Sequence, residues 1–445
     1  MKYSLIVPGV FAGLGIVLVY LFFYDLYVYN TALGVAGTLI ILALMGGFIY
    51  LSIKAIKEAK KGAEIRRRLT VIHSIFGVIL IGLIVLASLF IHPYASAINY
   101  RSGPIISWST NQDPRSEITV IWKTSEGGNS TIWYGGAPDS LDQTLSVPNL
   151  ETPEWHKVEI TGLQPNTTYY YSIESPPGGE VYSFTTAPAE ASDFTFLAFA
   201  DPRQNSGVFG SVFQPNVPRA MEQKMMELGI QPAFTMVCGD IVAYADDEAL
   251  WKSWMDDISV DSTLGQNAPI QVAIGNHERA HDCEGVIFAD RYNYEPKPQF
   301  YYAFNYSNAH ILVVDPWDYA ECWWGEFDEP QLEWIEQELI YAQAQDYRMV
   351  FLHPPPVLNG EVVDGYQDFV ALMTTYAVDA VFFGHYHRFE HSLVDGVEYF
   401  LIGVGGNNHP AANPPGYAQV DVTSSGLEIT MHWLNGSSHL LTSIT

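Results

Sequence analysis

The sequence predicts a chain in three parts: three membrane-spanning helices, then a β-sandwich, then an α/β domain. Three observations predict it. Apolar runs at Ser4–Tyr24, Thr31–Ile53 and Leu69–Ile91 each approach the roughly 20 residues that a helix needs to cross a bilayer core. From about Gly103 to Pro188 the pattern changes to short strands rich in β-branched and aromatic residues, punctuated by turn signals. Regular short strands of that kind indicate a sandwich. From about Ser192 onward, nearly continuous apolar runs alternate with amphipathic stretches, as strands buried on both faces and their covering helices do.

Charge separates the first part from the rest. The 445 residues include 21 basic and 49 acidic side chains, for a formal net charge of −28. Residues 1–92 hold eight Lys or Arg and three acids, a balance of +5, which leaves thirteen basic and forty-six acidic residues, or −33, for the remainder. A body that acidic repels phosphate backbones and disfavours nucleic acid as a general partner. A hydrophobic content of 48% excludes disorder, and three cysteines exclude both a disulfide scaffold and a cysteine-rich metal site.

In the first part, the gap between the first two apolar runs carries no Lys or Arg, whereas Lys54–Arg68 carries seven. The positive-inside rule places that second loop and the N-terminus in the cytoplasm and everything after Ile91 outside. A cleaved signal peptide is the alternative for the first run. Its apolar stretch exceeds the roughly 7–15 residues of a signal h-region, and only Lys2 precedes it, so a retained span is expected. Ala95-Ser96-Ala97 resembles a signal-peptidase site that would release the outer domain. No span contains a carboxylate pair or a charge relay, so the membrane part (1–92) reads as an anchor and not a transport path.

In the sandwich, Ile118–Trp122 and Ser130–Tyr134 flank a Gly127-Gly128-Asn129 turn, and Trp155–Ile160, the Leu163–Ser175 region and Val181–Phe184 follow. The Tyr169–Tyr171 cluster reads as core and corner packing. In the α/β part, strands are expected at Phe194–Ala200, Phe234–Cys238, Ile270–Ile274, His310–Val314, Met349–Leu352 and Ala380–Phe383. Helices are expected at Pro218–Leu228 and Gln331–Ala342, the latter with Leu332, Ile335, Leu339 and Ile340 on its buried face.

The ends of five of these strands carry the chemistry. They deliver Asp201; Gly239-Asp240; Gly275-Asn276-His277-Glu278; His353; and Gly384-His385-Tyr386-His387. In α/β domains ligand groups gather at the carboxyl ends of strands. This mixture of oxygen and imidazole donors suits Zn, Mn or Fe at adjacent sites and is too rich in nitrogen for Ca. Any one element is weak, since an Asp after a strand is commonly a turn or cap. Five in order point to a dinuclear metal centre.

These residues carry a family resemblance. The order Asp201, Gly239-Asp240, Gly275-Asn276-His277, His353, Gly384-His385-Tyr386-His387 resembles the calcineurin-like metallophosphoesterases. Leu163–Tyr171, closing with Phe184–Pro188, resembles the fibronectin type III-like domain that precedes the catalytic domain of purple acid phosphatases. The resemblance implies a sandwich over 103–188 and an αββα domain over 192–435. It implies that Asp240 bridges two metal ions, one also held by Asp201 and His387, the other by Asn276, His353 and His385. His277 would face the phosphoryl group and stabilise it or protonate the leaving oxygen. Two metals about 3.5 Å apart lower the pKa of a bound water and orient the hydroxide for in-line attack on phosphorus. The expected substrate is a small phosphate monoester.

Two positions depart from the family pattern. Where the general family has a His two residues after the first Asp, this chain has Arg203. Where the purple members have a metal-binding Tyr three residues after the bridging Asp, it has Ala243, with Tyr244 one later as a possible additional ligand. Arg203 stays charged and cannot ligate a metal, so it reads as a phosphate contact or as a salt-bridge partner for a nearby carboxylate. Two other readings remain: a diesterase acting on nucleotides or lipid-linked phosphates, and a non-catalytic surface protein that has lost one metal site. Asp315 reads as structural and Cys238 as a buried thiol, while Cys283 and Cys322 lie in loops where a disulfide can persist. Trp251, Trp254, Trp317, Trp323 and Trp324 fall in the insertions, either as loop packing or as an aromatic wall for a leaving group.

Overall fold

The structure, a computed structural model, describes residues 101–444 apart from 126, 149–153, 175–178, 204–216, 295–299, 319–320 and 407–413. The three expected spans lie outside the described residues. Among the described residues, no helix is long and apolar enough to cross a membrane.

Among the described residues, seven strands build the first domain: β1 (Arg101–Ser107), β2 (Ile118–Thr124), β3 (Ser130–Gly135), β4 (Gln143–Val147), β5 (Trp155–Ile160), β6 (Thr168–Ser172) and β7 (Tyr182–Thr185). They form two antiparallel sheets, β1-β2-β5 and β4-β3-β6-β7. Val120, Ile132, Val158, Tyr171 and Phe184 fill the space between them. Tyr169 makes the corner: its hydroxyl accepts a hydrogen bond of 3.0 Å from the Gln164 N–H, a tie back along the chain typical of such sandwiches.

The second domain runs β8 (Phe194–Phe199), α1 (Val217–Leu228), β9 (Thr235–Val237), α2 (Glu248–Ser259), α3 (Leu264–Asn267), β10 (Ile270–Val272), α4 (Val286–Tyr292), β11 (Tyr302–Tyr306) and β12 (Ala309–Val313). A ribbon of β13 (Trp317–Asp318) and β14 (Trp323–Trp324) follows, then α5 (Glu329–Tyr341) and β15 (Tyr347–Phe351). After a second ribbon, β16 (Val357–Leu358) and β17 (Glu361–Val362), come α6 (Gln367–Thr375), β18 (Ala380–Phe383), β19 (Phe389–Val394) and β20 (Val397–Ile402). β21 (Gly416–Thr423), β22 (Gly426–Trp433) and β23 (Ser438–Ile444) close the chain. Two six-stranded sheets result, ordered β10-β9-β8-β21-β22-β23 and β11-β12-β15-β18-β20-β19. β8, β9 and β10 are mutually parallel, as are β12, β15, β18 and β20, so within each sheet their carboxyl ends share one edge.

The parallel strands alternate between two cores because successive side chains point to opposite faces. Phe351 lies 6.1 Å from Phe196 on the first sheet and stacks on Phe382, which stacks on Phe400. Val350, Leu352 and Val381 point the other way, against Ile335 and Leu339 of α5 and Phe369 and Met373 of α6. Asp328 caps α5, accepting from the Gln331 N–H at 2.9 Å. The expected buried face of this helix needs one correction. Gln331, Ile335 and Leu339 are buried while Ile340 is 55% exposed. At 3.6 residues per turn, the position after Leu339 is rotated by roughly 100° away from the i, i+4 row. β23 extends the first sheet beyond residue 435; its mostly exposed side chains mark an edge strand, which carries no apolar alternation to find.

Sandwich and α/β domain belong to one unit, Arg101–Thr445. Lys123 on β2 is buried, with its ammonium 2.9 Å from Glu154 and 2.8 Å from Glu248 of α2. The buried Tyr171 hydroxyl donates to the Gln266 carbonyl at 2.8 Å, and Ser107 does the same to Ile270. A buried ammonium without its carboxylates would be strongly destabilising, so these contacts fix how the sandwich supports β10.

Candidate metal centre

Every strand end that carries a predicted ligand arrives at one place. Asp201 follows β8 and Asp240 follows β9, and both are buried. Both adopt left-handed backbone, as does His385 after β18, with φ of 58°, 58° and 73°. Non-glycine residues rarely hold that conformation, and it concentrates at functional sites. The Asp201 N–H donates to the Gly239 carbonyl at 3.1 Å and the Arg203 N–H to the Asp240 carbonyl at 2.9 Å, so the first two loops are stitched together.

The glycines before the ligands give clearance. A Cβ on Gly275 would lie 2.4 Å from Asp240 Oδ1, and one on Gly384 would lie 2.6 Å from Asp201 Oδ2. Those carboxylates occupy the room that a side chain would fill. Any residue larger than glycine would displace them.

Asp240 sits at the centre. Its Oδ1 accepts from the His277 N–H at 3.1 Å and lies 3.3 Å from His353 Nε2. Its Oδ2 accepts from Arg203 Nε at 3.2 Å and lies 3.8 Å from His277 Nε2. Burial pushes this carboxyl up, but His353, His277 and Arg203 outweigh burial and hold it well below the usual carboxylate range. His353 is its counterpart: burial pushes it down, and Asp240 overcomes that to raise it to about 9. His385 has no such support. Burial and the neighbouring His353 charge lower it to about 3, so its imidazole is neutral and available as a ligand at neutral pH.

Hydrogen bonds fix the ring orientations. His353 Nδ1 lies 2.6 Å from the Cys238 carbonyl and His277 Nδ1 2.9 Å from that of Ala243. A carbonyl only accepts, so each Nδ1 carries a proton and each Nε2 faces the centre. His353 Nε2 also lies 3.2 Å from Asn276 Oδ1. His387 Nε2 lies 3.3 Å from Asp201 Oδ1, a buried oxygen with no hydrogen-bond partner among the described residues.

The donor set fits a pair of metal ions. Ligand atoms of Asp201, Asp240 and His387 lie within 4.8 Å of one another, and the orphaned Asp201 Oδ1 points into that group. Asn276, His353 and Asp240 Oδ1 make a second group alongside, with His385 beside His353 at 5.6 Å between ring centroids. Arg203 is buried against Asp240, so the salt-bridge alternative is the arrangement present. Tyr244 is exposed, and its ring stacks on His281 at 4.9 Å.

Two supporting residues had no expected role. Glu278 is fully buried and accepts from the N–H groups of Asp240 (2.9 Å), Ile241 (2.7 Å), Val242 (3.1 Å) and Gly275 (2.8 Å). One carboxylate thereby locks the loops bearing Asp240 and Asn276. Burial and the adjacent Asp240 charge raise it to about 7. Its position directly after Gly275-Asn276-His277 was the available signal. Arg279 forms a buried ion pair with Asp315 and lies over the Trp317 ring at 4.5 Å, which makes Asp315 structural, as expected. Cys283 and Cys322 form a disulfide, and Cys238 is a buried free thiol. Trp251 and Trp254 are core. Trp324, by contrast, stands against His385.

Fold and site together define a calcineurin-like metallophosphoesterase. Residues 196–389 match the family described as Calcineurin-like phosphoesterase and residues 104–186 match the Purple acid Phosphatase, N-terminal domain, so the chain carries these two domains in the order of a purple acid phosphatase. Purple acid phosphatase 23 of Arabidopsis thaliana is 23% identical over 380 residues, covering 70% of this chain and 78% of that one. An uncharacterized protein of Mycobacterium tuberculosis is 24% identical over 360 residues, covering 68% of this chain and 65% of its own length. The phosphoenolpyruvate phosphatase of Allium cepa is 24% identical, covering 72% of this chain and 66% of that one. The chain thus spans just under two thirds of the length of two of these relatives. A purple acid phosphatase from yellow lupin seeds shares the fold, with a TM-score of 0.60 at 17% identity over 78% of this chain and 74% of that one.

Proposed function

We propose that this chain hydrolyses phosphate monoesters at a dinuclear metal centre and is a metal-dependent phosphoric ester hydrolase. One observation carries the reading: five strand ends from two sheets bring Asp201, Asp240, Asn276, His353, His385 and His387 together, with Asp240 touching both halves. Asp201, Asp240 and His387 would hold one ion; Asp240, Asn276, His353 and His385 would hold the other. The ions, of Fe, Zn or Mn, supply charge neutralisation and an activated water. A relative named Fe(3+)-Zn(2+) purple acid phosphatase 12 supports that choice.

The chain's own residues do the rest. His277 presents Nε2 toward the centre while Nδ1 is held by the Ala243 carbonyl, so a proton taken up at Nε2 is aimed at a leaving oxygen. Such positioned acids contribute about 10²–10⁴-fold. Arg203, already against Asp240, offers a fixed positive charge to the phosphate beside the metals. Tyr244, stacked on His281, is a further metal ligand only if its loop shifts.

The same proposal places the enzyme outside the cytoplasm on a three-span anchor, with the N-terminus and the Lys54–Arg68 loop inside. The apolar runs and the basic loop support this, as does a disulfide between Cys283 and Cys322, a bond that persists in oxidising compartments. Metal analysis of the full chain, with p-nitrophenyl phosphate compared against bis-p-nitrophenyl phosphate under added Mn, Zn or Fe, tests the chemistry. Two metals per chain and faster monoester cleavage are expected. Faster diester cleavage would transfer the reading to a diesterase, and a single metal with no turnover would mark a non-catalytic protein. Protease protection of the outer domain in sealed membrane vesicles tests the topology.

A further inference from the structure

We infer that the first ion position, beside Asp201, Asp240 and His387, is built for a divalent ion, and that Arg203 sets this charge preference. The inference rests on the dinuclear reading above. It departs from the ferric ion in the name of the relative Fe(3+)-Zn(2+) purple acid phosphatase 12. Two observations support it: a buried cation shares the central carboxylate, and the neighbouring phenols are committed elsewhere.

Asp201 and Asp240 bring two negative charges to the first group, and His387 brings an imidazole, which binds a metal only in its neutral form. Arg203 returns one positive charge, and its guanidinium stays protonated. The side chain is buried, and Nε donates to Asp240 Oδ2 at 3.2 Å. Because Oδ1 faces His353 at 3.3 Å, Oδ2 is the Asp240 oxygen left for the first ion, and the guanidinium already holds it. At a given distance a trivalent ion gains more than a divalent one from every anion and loses more to every cation. Two carboxylates offset by one guanidinium therefore favour the lower charge.

A phenolate would restore the missing negative charge, but the tyrosine position of the purple members is Ala243 here. Tyr244 is exposed, with its ring stacked on His281 at 4.9 Å, and His281 Nδ1 lies 2.9 Å from Asp246. The backbone on both sides of Tyr244 is engaged. The Ala243 carbonyl accepts from His277 Nδ1 at 2.9 Å, and the Ala245 N–H donates to the Ala280 carbonyl at 3.0 Å. Turning Tyr244 inward would give up the bond that orients His277. Tyr386 belongs to the other half: its ring packs on His385 at 4.8 Å and lies under the Arg388 guanidinium at 5.4 Å.

The full chain, stripped of metal and reloaded, tests this by metal binding and not by turnover. Supplied with Zn(II) or Mn(II), wild type should take up two ions per chain. Supplied with iron under air, it should show no visible phenolate-to-iron(III) charge-transfer band. Gallium(III), a redox-inert ion close to iron(III) in charge and size, then measures the preference against Zn(II) by chelator competition. R203Q removes the cation, so the gallium-to-zinc affinity ratio should rise by about 10–100-fold, the effect of one charge near contact distance in a partly screened site. R203K keeps the charge and should leave the ratio at its wild-type value. A coloured ferric centre in wild type overturns the inference, and loss of that colour in Y244F would make Tyr244 the ligand; this arm decides without a folded Arg203 variant. A ratio that does not rise in R203Q, or that rises equally in R203K, overturns it too. Each of these results leaves the phosphoesterase reading standing, whereas fewer than two ions of any kind per chain removes both.

Discussion

The two six-stranded sheets bring opposite chemistry to the same edge. β8, β9 and β10 of the first end in Asp201, Asp240 and Asn276, all oxygen donors. β15 and β18 of the second end in His353, His385 and His387, all imidazoles. The oxygen half is rigid by its own hydrogen bonds, because Glu278 and the backbone ties between the Asp201 and Asp240 loops hold it. The imidazole half is oriented across the gap, with His353 Nδ1 held by Cys238 on the first sheet and the His385 N–H by Asp201 at 2.9 Å. Each sheet would supply half of the proposed coordination sphere, and the face-to-face packing of the sheets sets the spacing between the halves. Such precision is what ligand fields on rigid elements require.

The comparison breaks most completely at Asp240, which touches both halves. D240N should abolish bound metal and turnover together, read by metal analysis and by p-nitrophenyl phosphate hydrolysis. Retained activity in D240N would sink the assignment of Asp240 as the shared ligand. His277 belongs to the oxygen half by position but stands outside the ligand groups. H277A should therefore keep wild-type metal content and slow kcat by about 10²–10⁴-fold; loss of metal would reassign it as a ligand.

Both residues were legible in the sequence for the same reason. A strand buried on both faces is a short apolar run, and a polar residue at its end stands out. That contrast located the ends of β8, β9, β10, β15 and β18, and with them the residues proposed as ligands. It also limited the reading. Glu278 follows the ligands without a strand end of its own, and its four backbone partners come from two loops whose meeting is a tertiary event. Ile340 looked apolar enough to be buried, but the helix phase set by Gln331, Ile335 and Leu339 turns it to solvent. β23 carries no alternation because it lies on an edge. The tryptophans divide the same way: helix α2 buries Trp251 and Trp254, whereas the disulfide-tied ribbon delivers Trp324 to the site, and spacing alone does not distinguish them.

A smaller effect sharpens the role of the oxygen half's framework. E278Q replaces one acceptor oxygen with a donor that faces backbone N–H groups, so the Asp240 and Asn276 loops should loosen and metal affinity fall by about 10–100-fold, measured by competition with a chromophoric chelator. The same titration reads the proton on His353. In the metal-free chain Asp240 keeps that imidazole protonated up to about pH 9, and a metal binds only its neutral form. Apparent affinity should thus rise with pH up to about 9, with a proton released on binding at pH 7. Affinity flat between pH 6 and 9 would show that His353 takes no part.

The smallest expected effect separates the two roles of Arg203. Its Nε donates to Asp240 Oδ2 and its N–H to the Asp240 carbonyl, so the residue both neutralises a ligand of the oxygen half and adds positive charge where a phosphate would sit. In a body carrying forty-six acidic against thirteen basic side chains after residue 92, local positive charge at the site comes from the metals and from this guanidinium. R203K keeps the charge but loses the planar fork that grips a carboxylate and an anion together. If Arg203 contacts phosphate, R203K should raise KM by about 10-fold, the size of one charge-assisted hydrogen bond, with metal content unchanged. If it serves only as a brace for Asp240, metal affinity should fall instead and KM at saturating metal should stay put. The KM-against-metal split therefore decides whether the charge at the mouth of the site is part of substrate binding or part of the frame.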